Sequence, residues 1–254
     1  MSENTTPHND HLILPILSAH LNDSTPVKFR SFIIFLDLAG HLMSMFASTS
    51  LPIPRTHVIE ADLSLSFRVA ELDNRSDILG RAYDMLSLSS VEFLSMHSLT
   101  SNQSMDWSEI FRHCTEVTTL RVSGWGAIGL LQVLTPPNFA DATIRRKGGK
   151  RKRGDNGRGS RAQVPDNDHS RGPITAHVPI FPKLTSLLLE TLDFTDAVFG
   201  SGVMYDLVLS AVQWRKANKT LLTALCIDNC VISEEQAKAL EKFVHDFQWV
   251  RDKR

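Results

Sequence analysis

Residues Leu222 to Ile232 read LTALCIDNCVI, and Ser233 to Gln236 continue SEEQ. Apolar side chains stand at the first, fourth and sixth positions (Leu222, Leu225, Ile227). The middle of the run alternates apolar with polar, the period of a half-buried strand. Ser233 with Gln236 three residues on has the form of a capping box: the serine oxygen accepts from a free N–H of the first turn, and the glutamine reaches back. Ala237, Leu240, Phe243, Val244 and Phe247 then fall on one helical face. The expectation is strand, turn, helix, with the terminal helix running from Ser233 to Val250 and the basic tail Arg251 to Arg254 complementing its C-terminus.

The same grammar recurs upstream. Leu184-x-x-Leu187-x-Leu189 precedes a helical stretch from Val203 to Lys216, and Val117-x-x-Leu120-x-Val122 precedes Ala127 to Leu134. Leu88-x-x-Val91-x-Phe93 precedes Asp106 to Cys114, and Ile33-x-x-Leu36-x-Leu38 precedes His41 to Phe46. A weaker strand, His57 to Leu65, follows the turn at Pro52 and Pro54. The spacings are uneven: Leu120 follows Val91 by 29 residues, Leu187 follows Leu120 by 67, and Leu225 follows Leu187 by 38. Units of this size cannot bury their own apolar face and stack on neighbours, which predicts an α/β solenoid of about six units, parallel strands on one side and helices on the other. An ordinary α/β domain would show a similar alternation of strand and helix.

One segment breaks the pattern. Arg145 to Arg161 (RRKGGKRKRGDNGRGSR) carries nine Lys or Arg against one Asp and no apolar side chain. Such a stretch has too little apolar surface to offset the entropy of ordering it, and a disordered basic loop over 141–176 is expected. The net charge of the 254-residue chain is −1, so without this +8 run about −9 remains on the rest. Lys150, Arg151, Lys152 and Arg153 have the form of a nuclear localisation signal. The run also suits a nonspecific, salt-sensitive nucleic-acid tether, since it holds no aromatic side chain on which a base could stack. The remaining partition is a poorly ordered segment 1–28, a first solenoid part 29–140 and a second part 177–254.

Three cysteines are too few for a disulfide framework, and the polar start SENTTPHND lacks the layout of a signal peptide. A cytoplasmic or nuclear protein, with no membrane partner, is expected.

Several stretches, taken in order, resemble one known family. Leu36-Asp-Leu-Ala-Gly-His with Leu51-Pro-Ile-Pro, WSEIFRHC (Trp107 to Cys114) leading into VTTLRVSGWG, FPKLTSLLL from Phe181, and LCIDNCVI from Leu225 are similar to the leucine-rich-repeat region of the fungal (basidiomycete) F-box proteins. The resemblance runs from about Phe29 to the C-terminus. It implies a leucine-rich-repeat fold and a substrate-recognition or adaptor role in Skp–cullin–F-box ubiquitin ligases. The F-box itself is missing from the pattern, because Leu14-Pro15 is followed by Ile16 rather than an acidic residue.

The chemistry-bearing motifs are few. Gly124-Trp-Gly126-Ala-Ile-Gly129 follows a strand and opens a helix, the setting of a dinucleotide fingerprint, and a small α/β nucleotide-binding enzyme is the alternative reading. The acidic ribose ligand that the fingerprint needs about 20 residues on would fall in the basic run. The bland reading is a strand-to-helix turn in which glycines supply positive φ. Cys226-x-x-x-Cys230 lacks zinc spacing, and Cys114 beside His113 sits on an apolar helical face. No catalytic residue, metal site or cofactor is expected. The reading is a non-catalytic protein-binding module. Leu36, Leu38, Val91, Phe93, Leu120, Val122, Leu187, Leu189, Leu225 and Ile227 should face the core. Their neighbours Phe35, Asp37, Glu92, Leu94, Thr119, Arg121, Leu188, Glu190, Cys226 and Asp228 should then form a partner-binding strip on the open, concave face of the sheet.

Overall fold

Short alternating runs become strands, and among the described residues eight of them join one sheet. In the computed structural model these are β1 (Ser31–Leu36), β2 (Leu42–Ser48), β3 (Leu63–Arg68), β4 (Phe93–Ser98), β5 (Thr119–Ser123), β6 (Ser186–Glu190), β7 (Ala224–Asp228) and β8 (Asp246–Val250). Among the described residues four α-helices accompany them: α1 (Trp107–Phe111), α2 (Ala127–Val133), α3 (Val203–Ala217) and α4 (Glu234–Glu241). The structure describes residues 27–36, 42–52, 61–68, 86, 88–98, 107–124, 127–135, 179–195 and 203–251. The sheet order is β3-β2-β1-β4-β5-β6-β7-β8. The first two pairings are antiparallel, and every pairing from β1–β4 to β7–β8 is parallel.

The six parallel strands share one apolar code. Its first positions are Phe29, Val91, Val117, Leu184, Leu222 and Val244; its fourth are Phe32, Leu94, Leu120, Leu187, Leu225 and Phe247; its sixth are Ile34, Met96, Val122, Leu189, Ile227 and Trp249. All are buried in the core except the last unit's three, which are half-buried. Fully burying one such side chain contributes about 1.5–3 kcal/mol, so the repeated code accounts for much of the drive to stack. Trp107, Phe111, Leu130, Leu131, Val208 and Leu240 of the four helices join the same core, which places the helices against the face that carries the fourth and sixth positions.

Between the first and fourth positions the backbone forms a second ladder. The N–H groups of Glu92, Thr118, Thr185, Thr223 and His245 donate to the carbonyls of Arg30, Glu92, Thr118, Thr185 and Thr223 at 2.8–3.1 Å. Each parallel strand therefore begins paired before its own first residue. Leaving the strands, Gly124, Thr191 and Asn229 occupy the same step, seven residues after the first code position, with φ of 76°, 52° and 49°. The left-handed conformation is required there in three successive units, and it is costly for a β-branched threonine.

Four expectations are corrected. Of the expected helix from His41 to Phe46, the described residues from Leu42 on belong to a strand, β2. The terminal helix stops at Glu241, and Asp246–Val250 is an eighth strand. The code of the third unit in sequence is Val91-x-x-Leu94-x-Met96, so Leu94 is buried in the core, and Phe93 points to the other face beside Thr119. In the first unit the code is Phe29-x-x-Phe32-x-Ile34, with Leu36 also in the core. The expected strand from His57 appears as Leu63–Arg68; residues 53–60, Asp37, Leu38, Lys150 to Arg153, all of 141–176 and residues 1–26 lie outside the described residues. No helix among the described residues is long and apolar enough to cross a membrane.

A buried cation locks one turn. Arg215, near the end of α3, is 1% exposed. Its Nη2 donates to the carbonyls of Ile180 and Phe181, both at 2.9 Å, and its Nη1 to that of Leu184 at 3.4 Å. These carbonyls belong to the turn that delivers β6, where Phe181 itself adopts φ 55°. Burial pushes the guanidinium pKa down to about 10.

Candidate functional site

Because side chains alternate across a strand, the residues between the code positions emerge on the face away from the helices. Parallel registers set them in three rows. The first row runs Phe93, Thr119, Ser186, Ala224, Asp246; the second runs Ile33, Ser95, Arg121, Leu188, Cys226, Gln248; the third runs Phe35, His97, Ser123, Glu190, Asp228, Val250. The first row, and the second from Arg121 to Gln248, line a groove of about 720 Å³ that Leu51 and Pro52 also border. Phe93 and Leu188 give it apolar floor; Arg121, Asp246 and Gln248 give it polar edges.

The third row is a graded strip. At the β1 end the ring of Phe35 meets Phe46 of β2 edge-on at 5.7 Å between centroids and lies 5.3 Å from the His97 ring. His97 Nδ1 is hydrogen-bonded to the Ser123 hydroxyl, and burial holds the imidazole pKa below its ordinary value, opposed by the nearby Glu190 carboxylate. Arg121 reaches diagonally to that carboxylate, its Nη2 and Nε both on Oε2 at 2.8 and 2.9 Å, with both side chains 18% exposed. Asp228 follows on β7, and the exposed Val250 of β8 ends the row. The aromatic cluster at the β1 end and the acidic Asp228 are therefore separated by a half-buried ion pair.

Of the residues expected on this face, Phe35, Thr119, Arg121, Leu188, Glu190, Cys226 and Asp228 stand on it. Glu92 sits at the strand lead-in, where its carboxylate takes Arg30 at 2.8 and 3.0 Å, and that guanidinium lowers its pKa. Leu94 is absent from the face, being core, and Asp37 is outside the described residues. Ser95, His97, Ser123, Asp246 and Gln248 were not anticipated. Correct framing of VEFLSMHS (Val91 to Ser98) against VTTLRVS (Val117 to Ser123) would have found the first three.

Chemistry at the face is limited by who holds whom. The carboxylate whose charge acts on His97 is that of Glu190, and Arg121 holds it. No group of three or more His, Cys, Asp or Glu able to hold a metal occurs among the described residues. Cys114 and Cys230 have pKa values pushed up to about 12 by burial, so neither thiol is a nucleophile at neutral pH. The Gly124 turn carries the same backbone step as Thr191 and Asn229, which gives that glycine a structural duty in the repeat.

Comparison with known proteins returned no match. No family profile matches the chain, and neither a curated protein nor a solved structure matches it.

Proposed function

We propose that the chain is a non-catalytic protein-binding module, a leucine-rich-repeat-like solenoid of six strand units that takes its partner on the helix-free face of the sheet. The observation that carries this reading is the three-row face itself: a 720 Å³ groove over apolar floor, continuous with a strip graded from Phe35 to Asp228. Sequential parallel strands sharing one apolar code support the solenoid. The partner fits as an extended protein segment, an apolar side chain seated against Phe93 and Leu188 and a cationic one toward Asp228 and Asp246. The resemblance to F-box repeat proteins extends the proposal to an adaptor or substrate-recognition role beside a ubiquitin ligase.

The test is affinity purification of the tagged chain from its native cells, run beside Leu188→Glu and Asp228→Lys variants. A partner captured by the parent and lost from both variants supports the open face as the site. A Skp adaptor and a cullin in stoichiometric yield would make it a ligase receptor; one partner without them would make it a free-standing binder. A partner held equally by all three proteins moves the site off this face. Titration calorimetry with NAD(P) at about millimolar ligand, a weak-binding regime, tests the nucleotide alternative at Gly124.

A further inference from the structure

One edge of the sheet is open among the described residues. β8 pairs with β7 on one side only and is the terminal strand of the sheet among the described residues. In a parallel ladder one residue bonds its neighbour with both backbone groups and the next points both away. Asp246 N–H donates to Thr223 and the Val250 carbonyl accepts from Asn229, so Asp246, Gln248 and Val250 face β7. Phe247 and Trp249 therefore direct their N–H and C=O groups outward. Their side chains show the same incompleteness. They align with Leu225 and Ile227, both 0% exposed, yet are only half-buried; the Trp249 ring carries the Arg251 guanidinium 3.7 Å from its centroid, and its indole N–H is buried without a hydrogen-bond partner among the described residues.

Protein sheets blunt such edges with lysine, proline or a bulge. DFQWV holds none of these, and its one charge, Asp246, sits at the strand's beginning. The segment is also self-complementary. An antiparallel pairing about a two-fold axis through Gln248 joins Phe247 of one copy to Trp249 of the other, twice, with four backbone hydrogen bonds in the narrow-pair geometry. The same axis sets the half-buried aromatic side chains of one copy against those of the other on the helix side, and places the two Gln248 side chains opposite each other on the open face.

We propose that β8 is a self-pairing edge: two copies of this chain join antiparallel along Asp246–Val250, making one continuous sheet whose two open faces lie on the same side. The inference does not depend on what the groove binds. Five residues of strand make a small interface, so association in the micromolar range is expected.

The experiment is sedimentation of the full chain from about 1 to several hundred micromolar, a range that brackets small interfaces, with amide hydrogen exchange at both ends of it. The wild-type chain should pass from monomer to twice that mass, and the Phe247 and Trp249 amides should gain protection as it does. Gln248 is exposed, so Gln248→Glu and Gln248→Lys leave the fold alone but set like charges face to face on the axis. Each variant alone should remain monomeric, at least tenfold weaker in association, and an equimolar mixture should recover the dimer. A chain that stays monomeric across the range overturns the proposal. So does association without protection at Phe247 and Trp249, or two charge variants that dimerise alone as the wild type does. Failure here leaves the groove reading untouched, since that is read from partner capture by Leu188 and Asp228 variants.

Discussion

Replacing Arg215 with methionine asks whether a buried charge holds the fold or burdens it. The stem packs similarly in both residues, so the change removes the guanidinium with little loss of volume. Two carbonyl bonds at 2.9 Å disappear, along with a weaker one at 3.4 Å. At about 1.5–3 kcal/mol for a bond to a charged group, the two short ones contribute roughly 3–6 kcal/mol. Against this stands the burial penalty. A pKa lowered from 12.5 to about 10 corresponds to about 3 kcal/mol that methionine would recover. The bonds exceed the penalty by about 0–3 kcal/mol, and the cost of leaving the Ile180 and Leu184 carbonyls without this donor adds to the margin, so Arg215→Met should destabilise, by up to about 3 kcal/mol. Urea unfolding followed by tryptophan fluorescence, with the midpoint shifting at constant slope, measures it. A variant as stable as the parent, or more so, would refute the reasoning: the carbonyls of Ile180 and Leu184 would then be satisfied without the guanidinium.

Leu120→Ala, at a 0% exposed position in the middle of the parallel run, should cost about 2–5 kcal/mol, read by the same denaturation; a loss under about 1 kcal/mol would mean the site collapses freely. Of the three cysteines, Cys226 on the open face should react first with a maleimide, while Cys114 and Cys230, at about 12, stay silent until the chain unfolds; mass spectrometry of the labelled peptides reports the order. Burial lowers the His97 pKa in the folded chain, so its contribution is present above the unfolded value of about 6.5 and is lost as pH falls through the folded one. Stability should therefore drop on acidification below about pH 6.5, and His97→Gln should flatten that part of the profile; identical profiles would remove His97 as the cause.

The α/β class and three of the six code units could be read from the residues, because Val117, Leu184 and Leu222 each open a run with only one apolar frame. The capping box at Ser233 and Gln236 is present as read, with both reciprocal bonds made. Ambiguity, rather than absence of signal, hid the rest. Leu88, Val91, Phe93, Leu94 and Met96 satisfy two frames three residues apart, and only the pairing with Leu120 and Val122 decides between them. In Leu42 to Phe46 the buried Met43 and Met45 alternate as a strand should, but Leu42 and Phe46 on the other face complete a helical spacing. Val244-x-x-Phe247-x-Trp249 hid in the same way, since Leu240, Val244 and Phe247 also suit a helix. The open-face site inherited these errors: Leu94 entered it and His97 escaped it through one misframed strand. Arg215 gave no warning, because a basic residue near a helix end is ordinary at the surface.

The parallel registers have a consequence for how this chain tolerates change. Successive fourth positions from Leu94 onward, at Leu120, Leu187, Leu225 and Phe247, are 26, 67, 38 and 22 residues apart, yet adjoining strands pair without slippage. Closing a connection of 67 residues instead of 26 costs only about 0.8 kcal/mol in chain entropy, because the penalty grows with the logarithm of length. Strand pairing is thus decoupled from connector size. The crossover between α2 and β6 is a natural acceptor for grafted sequence, where a reporter domain or an affinity epitope can be spliced while the rows on either side keep their alignment.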